Sequence, residues 1–380
     1  MNGLNEKRDR FFNLNTILHR ACYPPPMAYT YFPKGIEIIE FNPNEPLKTL
    51  RRIFEGGVKY NSFEREKLDQ LSLEIKKKND KYKKKNTLDK LIIFPETWKE
   101  FNSLRFLQAR TYDFEKTIEI IKDHLIWRKE NIPLRMTDKS IEILNDLGFV
   151  YFHGRDCKFR PTIVVNAKVY MQNQSNYAYE NWIFAFIYLL EYGIKNLLLP
   201  GQIENWNIIC DLADVSVLFL PADFKKIFAT LQCNYRCRLY VMYLLNMSSF
   251  IVFLWDLIKK MLDPTTERKL KILPKGQVDE MFRFINPEMI EKKFGGTAPN
   301  VTHNFFPPII PSQNYLKPYD DPKELFVDNK TYLEIVEKNP GYVKSPYIRK
   351  EIPKPIVIEP VVEKVVEKVK EEIKIEGIIT

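Results

Sequence analysis

From about residue 136 the chain alternates short β-rich runs with long aromatic stretches of helical period, and this alternation limits the fold more than any other feature. The strand candidates are Phe149-Val150-Tyr151-Phe152, Thr162-Ile163-Val164-Val165, Ile208-Ile209-Cys210, Leu239 to Leu245 and Lys271-Ile272-Leu273. Between them, Tyr179, Trp182, Phe186 and Leu189 share one helical face, and Phe224, Ile227, Phe228 and Leu231 share another. Parallel strands need crossover connections, usually helical, so this order predicts an α/β layer with several parallel strands. Hydrophobic residues are 45% of the sequence and aromatics 13%, enough to bury a core.

Upstream the texture is helical. Phe101, Leu104 and Leu107 recur at helical spacing, and Asp113 is placed to cap a second helix carrying Phe114, Ile118, Ile121 and Leu125, which Pro133 ends. Residues 1 to about 70 mix prolines, tyrosines and short apolar clusters without a sustained period, and are expected to lie on a neighbouring surface or stay loose. The chain divides on this reading into an N-terminal extension over 1–87, a helical lobe over 88–135, an α/β domain over 136–300 and a tail over 301–380. The tail is Pro-rich and then runs through a Val/Glu/Lys quasi-repeat of four, Val361 to Val369, compatible with a short helix or an induced strand.

The net charge of +9 is local: residues 1–135 carry +8, 136–300 carry +2 and 301–380 carry −1. Most of the first figure comes from one run, in which Lys76, Lys77, Lys78, Lys83, Lys84 and Lys85 stand out. Lysine without arginine suits a point-charge attraction to phosphate rather than the reading of bases, so nucleic acid is not an expected partner. A solvated helix face or linker accounts for the run, and an anionic membrane surface is the candidate partner. The five cysteines form no CxxC pair and only four histidines are present, so reduced thiols and no metal site are expected. The N-terminus lacks the apolar run of a signal peptide and has Asn2 where myristoylation needs glycine, which points to a cytoplasmic address.

Leu239 to Trp255 is uncharged but short for a bilayer span and carries Asn246, Ser248 and Ser249; it reads as two buried elements. The second opens the stretch Ser249 to Leu262, where Phe250, Phe253, Leu254, Leu257 and Ile258 with their neighbours leave almost no polar face. Such a helix is buried on both sides or meets lipid, and the basic rim at Lys259, Lys260, Arg268, Lys269 and Lys271 suits anionic headgroups. No GxSxG elbow, GxxxxGK[ST] loop or HExxH motif occurs, and no catalytic residue is expected. The turn from His153-Gly154-Arg155-Asp156 to Arg160-Pro161 reads as a turn ahead of a strand rather than an acid–base pair.

Over residues 88 to 300 the motifs resemble those of the CRAL-TRIO lipid-binding family, in particular its yeast-type phosphatidylinositol transfer proteins. The likeness lies in Leu104 to Arg110, Trp127-Arg128-Lys129-Glu130, Gly154-Arg155-Asp156 to Arg160-Pro161, and Gly201-Gln202-Ile203-Glu204 leading to Asp211-Leu212. It continues in Leu245-Asn246, in Leu262-Asp263-Pro264 to Leu273, and in Lys293-Phe294-Gly295-Gly296. The resemblance implies a small helical lobe plus an α/β domain that holds one lipid in an apolar pocket closed by a mobile gate helix. The helix from Ser249 fits that gate, with Phe250, Phe253, Leu254, Leu257 and Ile258 as its apolar residues. It further implies that Arg110, Thr266 and Lys269 meet an inositol phosphate headgroup. Two departures stand beside this: Cys237 falls where an acidic residue is expected, and Trp206 and Ile208 fall where phosphatidylcholine binders place small hydroxyls. No cofactor beyond a bound lipid is expected. The function implied is non-enzymatic carriage of a phospholipid or another hydrophobic ligand at a membrane periphery. The alternative is a membrane- or cytoskeleton-associated scaffold with a ligand-locked or vestigial pocket.

Overall fold

The structure, a computed structural model, describes residues 24–29, 31, 33, 37–42, 45–215, 222–247 and 264–315. A hairpin of β1 (Ile39–Asn42) and β2 (Glu45–Arg52) comes first, paired antiparallel. Strands of four and eight residues with a register slip between them carry little periodic signal, which is why this stretch looked featureless in sequence.

Helix α1 (Ser62–Lys84) opens on a reciprocal cap: Asn61 Oδ1 accepts from Glu64 N at 2.8 Å, and Glu64 Oε2 accepts from Asn61 N at 3.0 Å. Its buried stripe of Glu64, Leu68, Leu71 and Ile75 contributes to an apolar cluster with Phe54, Leu104, Leu107, Ile118 and Ile121. Leu104 and Leu107 lie on α2 (Glu100–Ala109), and Ile118 and Ile121 on α3 (Phe114–Asn131). Asp113 caps α3 by accepting from Lys116 N, and the helix ends two residues before Pro133. The lysine run is therefore the last turns of a helix whose inner face belongs to the lobe core.

After α4 (Asp138–Glu142) comes a five-stranded sheet in sequence order: β3 (Val150–Arg155), β4 (Pro161–Asn166), β5 (Trp206–Asp211), β6 (Leu239–Leu245) and β7 (Leu270–Leu273). The first pair is antiparallel, joined by the turn at Asp156 to Arg160, and β4 to β7 run parallel. Helices α5 (Ala167–Asn173) and α6 (Tyr179–Asn196) cross from β4 to β5, and α7 (Ala222–Asn234) from β5 to β6. All five candidate strands are present, and Trp182, Phe186 and Leu189 are buried on α6.

Register sorts the sheet into two faces, because in-line neighbours point the same way. One face aligns Ile163, Ile208, Met242 and Leu270, then Val165, Cys210, Leu244 and Ile272. The other aligns Val164, Ile209, Tyr243 and Lys271, and Tyr151 at its edge donates to Glu291 at 2.7 Å from the C-terminal segment. The stretch Ser249 to Leu262, with Phe250, Phe253, Leu254, Leu257 and Ile258, lies outside the described residues. Among the described residues no helix is long and apolar enough to cross a membrane.

Candidate functional site

The lobe and the sheet meet at one buried carboxylate. Glu204, 1% exposed, sits just ahead of β5 and accepts from Phe54 N at 3.0 Å, Glu55 N at 2.7 Å and Gly201 N at 3.0 Å, and it pairs with Arg105 of α2. Arg105 also reaches Glu55 at 2.7 Å and lies 4.3 Å over the Phe54 ring. Arg238, ahead of β6, donates to the same Glu55 carboxylate at 3.0 Å and to Glu204 O at 3.1 Å. Burial, and then the neighbouring Arg105, bring the Arg238 guanidinium down to about 10. Arg105 thus makes an ion pair between lobe and sheet, five residues before Arg110, which the family resemblance assigned to the headgroup. Only the Gly201-to-Glu204 spacing signalled it.

Arg110 caps the C-terminal end of α2, and its buried Nε has no hydrogen-bond partner. Thr266 and Lys269 share one turn at the start of β7: Lys269 N donates to Thr266 O at 2.9 Å, and Lys269 O accepts from Met242 N of β6 at 2.9 Å. Lys269 is only 5% exposed, and a buried ammonium requires anionic or hydrogen-bonding company. Strand β2 touches both neighbourhoods. Its Thr49 carbonyl accepts from Gln108 of α2 at 3.3 Å, and Arg51 Nε donates to Tyr240 O of β6 at 3.0 Å. The Tyr240 ring lies between Arg51, 4.4 Å away, and Arg160, 3.4 Å away. The N-terminal end of the parallel strands is therefore dense in guanidinium groups, a feature that neither β2 nor Tyr240 announced in sequence.

Cys237 holds a left-handed backbone at φ 61°, with its Sγ 3.6 Å from Arg105 O and its carbonyl accepting from Asn205 Nδ2 at 2.6 Å. It is a contact in the joint between α2 and β6. Trp206 and Ile208, 3% and 8% exposed, line the apolar sheet face, where Trp206 lies 6.5 Å from the Tyr235 ring. Tyr235 donates to Glu191 of α6 at 2.9 Å, and Arg128 of α3 donates to the same carboxylate oxygen at 2.7 Å, which ties this wall to the lobe. Burial pushes the Cys210 thiol on the same face up to about 12, so at neutral pH it is an apolar lining group and not a thiolate. On α1, Lys76, Lys77, Lys83 and Lys84 are exposed and Lys78 is half-buried, and Lys85 at the C-cap is exposed.

Residues 145–296 match the model of the CRAL/TRIO domain, and the helical lobe precedes the matched stretch. Among curated relatives, the phosphatidylinositol/phosphatidylcholine transfer protein SFH12 of Arabidopsis thaliana is 25% identical over 236 residues, 58% of this chain and 43% of that protein. The phosphatidylinositol transfer protein SFH5 of Vanderwaltozyma polyspora is 26% identical over 185 residues, 46% of this chain and 63% of that protein. Patellin-6 of Arabidopsis thaliana is 23% identical over 209 residues, 51% of this chain and 50% of that protein. A solved structure, the crystal structure of Sfh5, superposes with a TM-score of 0.48 at 18% identity, over 67% of this chain and 96% of that one. The chain spans less than two thirds of each of these curated relatives.

Proposed function

We propose that the protein is a non-enzymatic lipid carrier that holds one phospholipid over the apolar face of the sheet and exchanges it with membranes from their cytoplasmic periphery. The observation that carries this reading is that face itself: from Ile163 through Ile208 and Leu244 to Ile272 every aligned side chain is apolar or a neutral thiol. An apolar face beside a guanidinium-rich strand end suits the two parts of a phospholipid, its acyl portion and its phosphodiester. The names of SFH12, a phosphatidylinositol/phosphatidylcholine transfer protein, and of SFH5, a phosphatidylinositol transfer protein, support a phospholipid as the ligand class. Phosphatidylinositol is the favoured ligand, with Arg110, Thr266 and Lys269 at its phosphate, because Trp206 and Ile208 offer a choline headgroup no hydroxyl. The stretch from Ser249, which lies outside the described residues, is assigned the role of gate.

Mass spectrometry of lipid extracted from the purified full chain tests this. Stoichiometric phospholipid enriched in phosphatidylinositol supports carriage. A preparation with no bound phospholipid, and none acquired from vesicles, leaves the scaffold reading in its place.

A further inference from the structure

Helix α1 does not simply run out into solvent. Asn86 turns the chain with a left-handed φ of 52°, a short helical turn follows over Leu88–Lys90, and the segment folds back along α1. The fold-back is clamped: Asn79 donates to Ile92 O at 3.0 Å and accepts from Ile92 N at 2.9 Å, while Thr87 donates to Tyr82 O through its amide at 2.9 Å and its hydroxyl at 3.2 Å. With Ile92 pinned inward at 4% exposure, its neighbour Ile93 must face out, and it is 73% exposed. Leu88 at the crest of the turn is 58% exposed. Around these two aliphatic side chains stand the exposed Lys83, Lys84, Lys85 and Lys90; between residues 76 and 90 eight lysines face two aspartates.

We propose that the clamped turn from Lys85 to Ile93 is a membrane-insertion element, in which Leu88 and Ile93 enter the headgroup–acyl boundary of an anionic bilayer while the surrounding lysines hold its surface. A rigid turn loses little conformational freedom on docking, so more of the contact energy is retained. The paired chemistry selects the partner. A nucleic-acid backbone is satisfied by lysines alone and gains from aromatic or arginine stacking, which this turn does not present, whereas an anionic interface takes up both charged heads and aliphatic side chains. The proposal deepens the carrier reading by naming a membrane contact on the lobe, separate from the gate, and rests on that reading only in giving the contact a purpose.

The test is co-sedimentation of the full chain with phosphatidylcholine vesicles, with and without phosphatidylserine, at low and high salt. The exposed double substitution Leu88→Ser with Ile93→Ser is expected to weaken partition onto the anionic vesicles by about ten-fold or more. It should abolish the part that resists salt. The triple Lys83→Gln, Lys84→Gln, Lys85→Gln variant should instead lose the salt-sensitive part. In a second readout, emission of Ile93→Trp should shift to the blue and be quenched by brominated lipid beyond the wild-type response. Unchanged partition of the double serine variant, no added quenching at position 93, or single-stranded RNA displacing the vesicles equally from wild type and double serine variant overturns the proposal. Lipid extracted from the same preparations separates the two readings. A wild type without bound lipid whose partition still depends on Leu88 and Ile93 sinks the carrier and upholds the insertion turn.

Discussion

Gly56 and Gly201 meet backbone to backbone: a Cβ on Gly56 would stand 2.4 Å from the Cα of Gly201, and one on Gly201 would stand 2.6 Å from the Cα of Gly56. Both have positive φ, 65° and 78°. This approach lets the amides around Phe54 and Gly201 converge on Glu204, so the N-terminal extension is held to the sheet through backbone that no side chain could replace.

Gly201→Ala is therefore expected to destabilise the fold by at least about 2 kcal/mol, from the left-handed penalty and the clash together. Calorimetry would read this as a fall in Tm of roughly 4–8 °C. A variant melting with wild type would show that the extension undocks without consequence for the domain.

Charge removal at the same place should cost more. In the Arg105–Glu204 pair the side chains are 6% and 1% exposed, so Glu204→Ala leaves the buried Arg105 with Glu55 alone and strands the Phe54, Glu55 and Gly201 amides, a loss of about 3–5 kcal/mol. The exposed Arg65–Glu100 pair, 45% and 59% open, is the control: Glu100→Ala should change stability by under about 1 kcal/mol. Equal losses in urea titrations of the two variants would mean that Glu204 is not the joint.

The sheet was legible in sequence because β-branched runs and aromatic helices repeat over many residues, so each of the five strands could be placed to within three residues. Asp113 as a cap was legible for the same local reason. The joint was not. Glu204 and Arg105 are 99 positions apart, Glu55 is 50 from Arg105, and nothing in the local pattern of either distinguishes a buried ion pair from a surface charge. Arg110 was singled out by the family resemblance as a headgroup contact, and Arg105, which carries the interlobe pair, drew no separate notice. Hairpin β1–β2 escaped because its strands are short and slipped in register. Ile93 could not be told from Ile92 by sequence, since only the Asn79 clamp decides which of the two faces out.

The buried His153 and the half-buried His124 predict a pH response. Burial holds the imidazoles of His124 and His153 below the ordinary value. Asn234 Nδ2 is engaged with Thr230 O, so its Oδ1 faces His124 and Nδ1 of the neutral ring carries the proton. Between the depressed folded values and the ordinary value of about 6.5 the unfolded chain binds more protons, so stability rises with pH across that window and is lost as pH falls through it. Each histidine contributes at most about 1.4 kcal/mol per pH unit. Tm should drop from pH 7 to pH 5, and His124→Gln should flatten the drop. A Tm that climbs on acidification would contradict neutral, buried rings.

The proposed gate gives a separate expectation. On the proposed gate reading, Leu254→Asp would place a charge either over the bound lipid or in the bilayer, and both are costly. Transfer of labelled phosphatidylinositol between vesicles should fall by ten-fold or more while the melting transition stays within a few degrees of wild type. Loss of the melting transition itself would instead mark Ser249 to Leu262 as a core helix.

The headgroup assignment makes the sharpest demand on specificity. Arg110, Thr266 and Lys269 supply a guanidinium, a hydroxyl and an ammonium, which suit a phosphodiester, and hydrogen bonds to charged groups contribute about 1.5–3 kcal/mol each. Cys237 provides no acidic acceptor for inositol hydroxyls, and its Sγ contacts Arg105 O, so phosphate capture has to carry the affinity. Lys269→Ala and Arg110→Ala are each expected to slow phosphatidylinositol exchange by roughly ten-fold or more. Phosphatidylcholine exchange should be slow in the wild type already, because neither Trp206 nor Ile208 offers a hydroxyl to that headgroup. Labelled-lipid transfer with the two variants and wild type decides it. Equal phosphatidylinositol rates in all three, or faster phosphatidylcholine exchange in the wild type, would remove the trio from the headgroup and turn the apolar face toward a ligand without a phosphate, such as a sterol, tocopherol or retinoid.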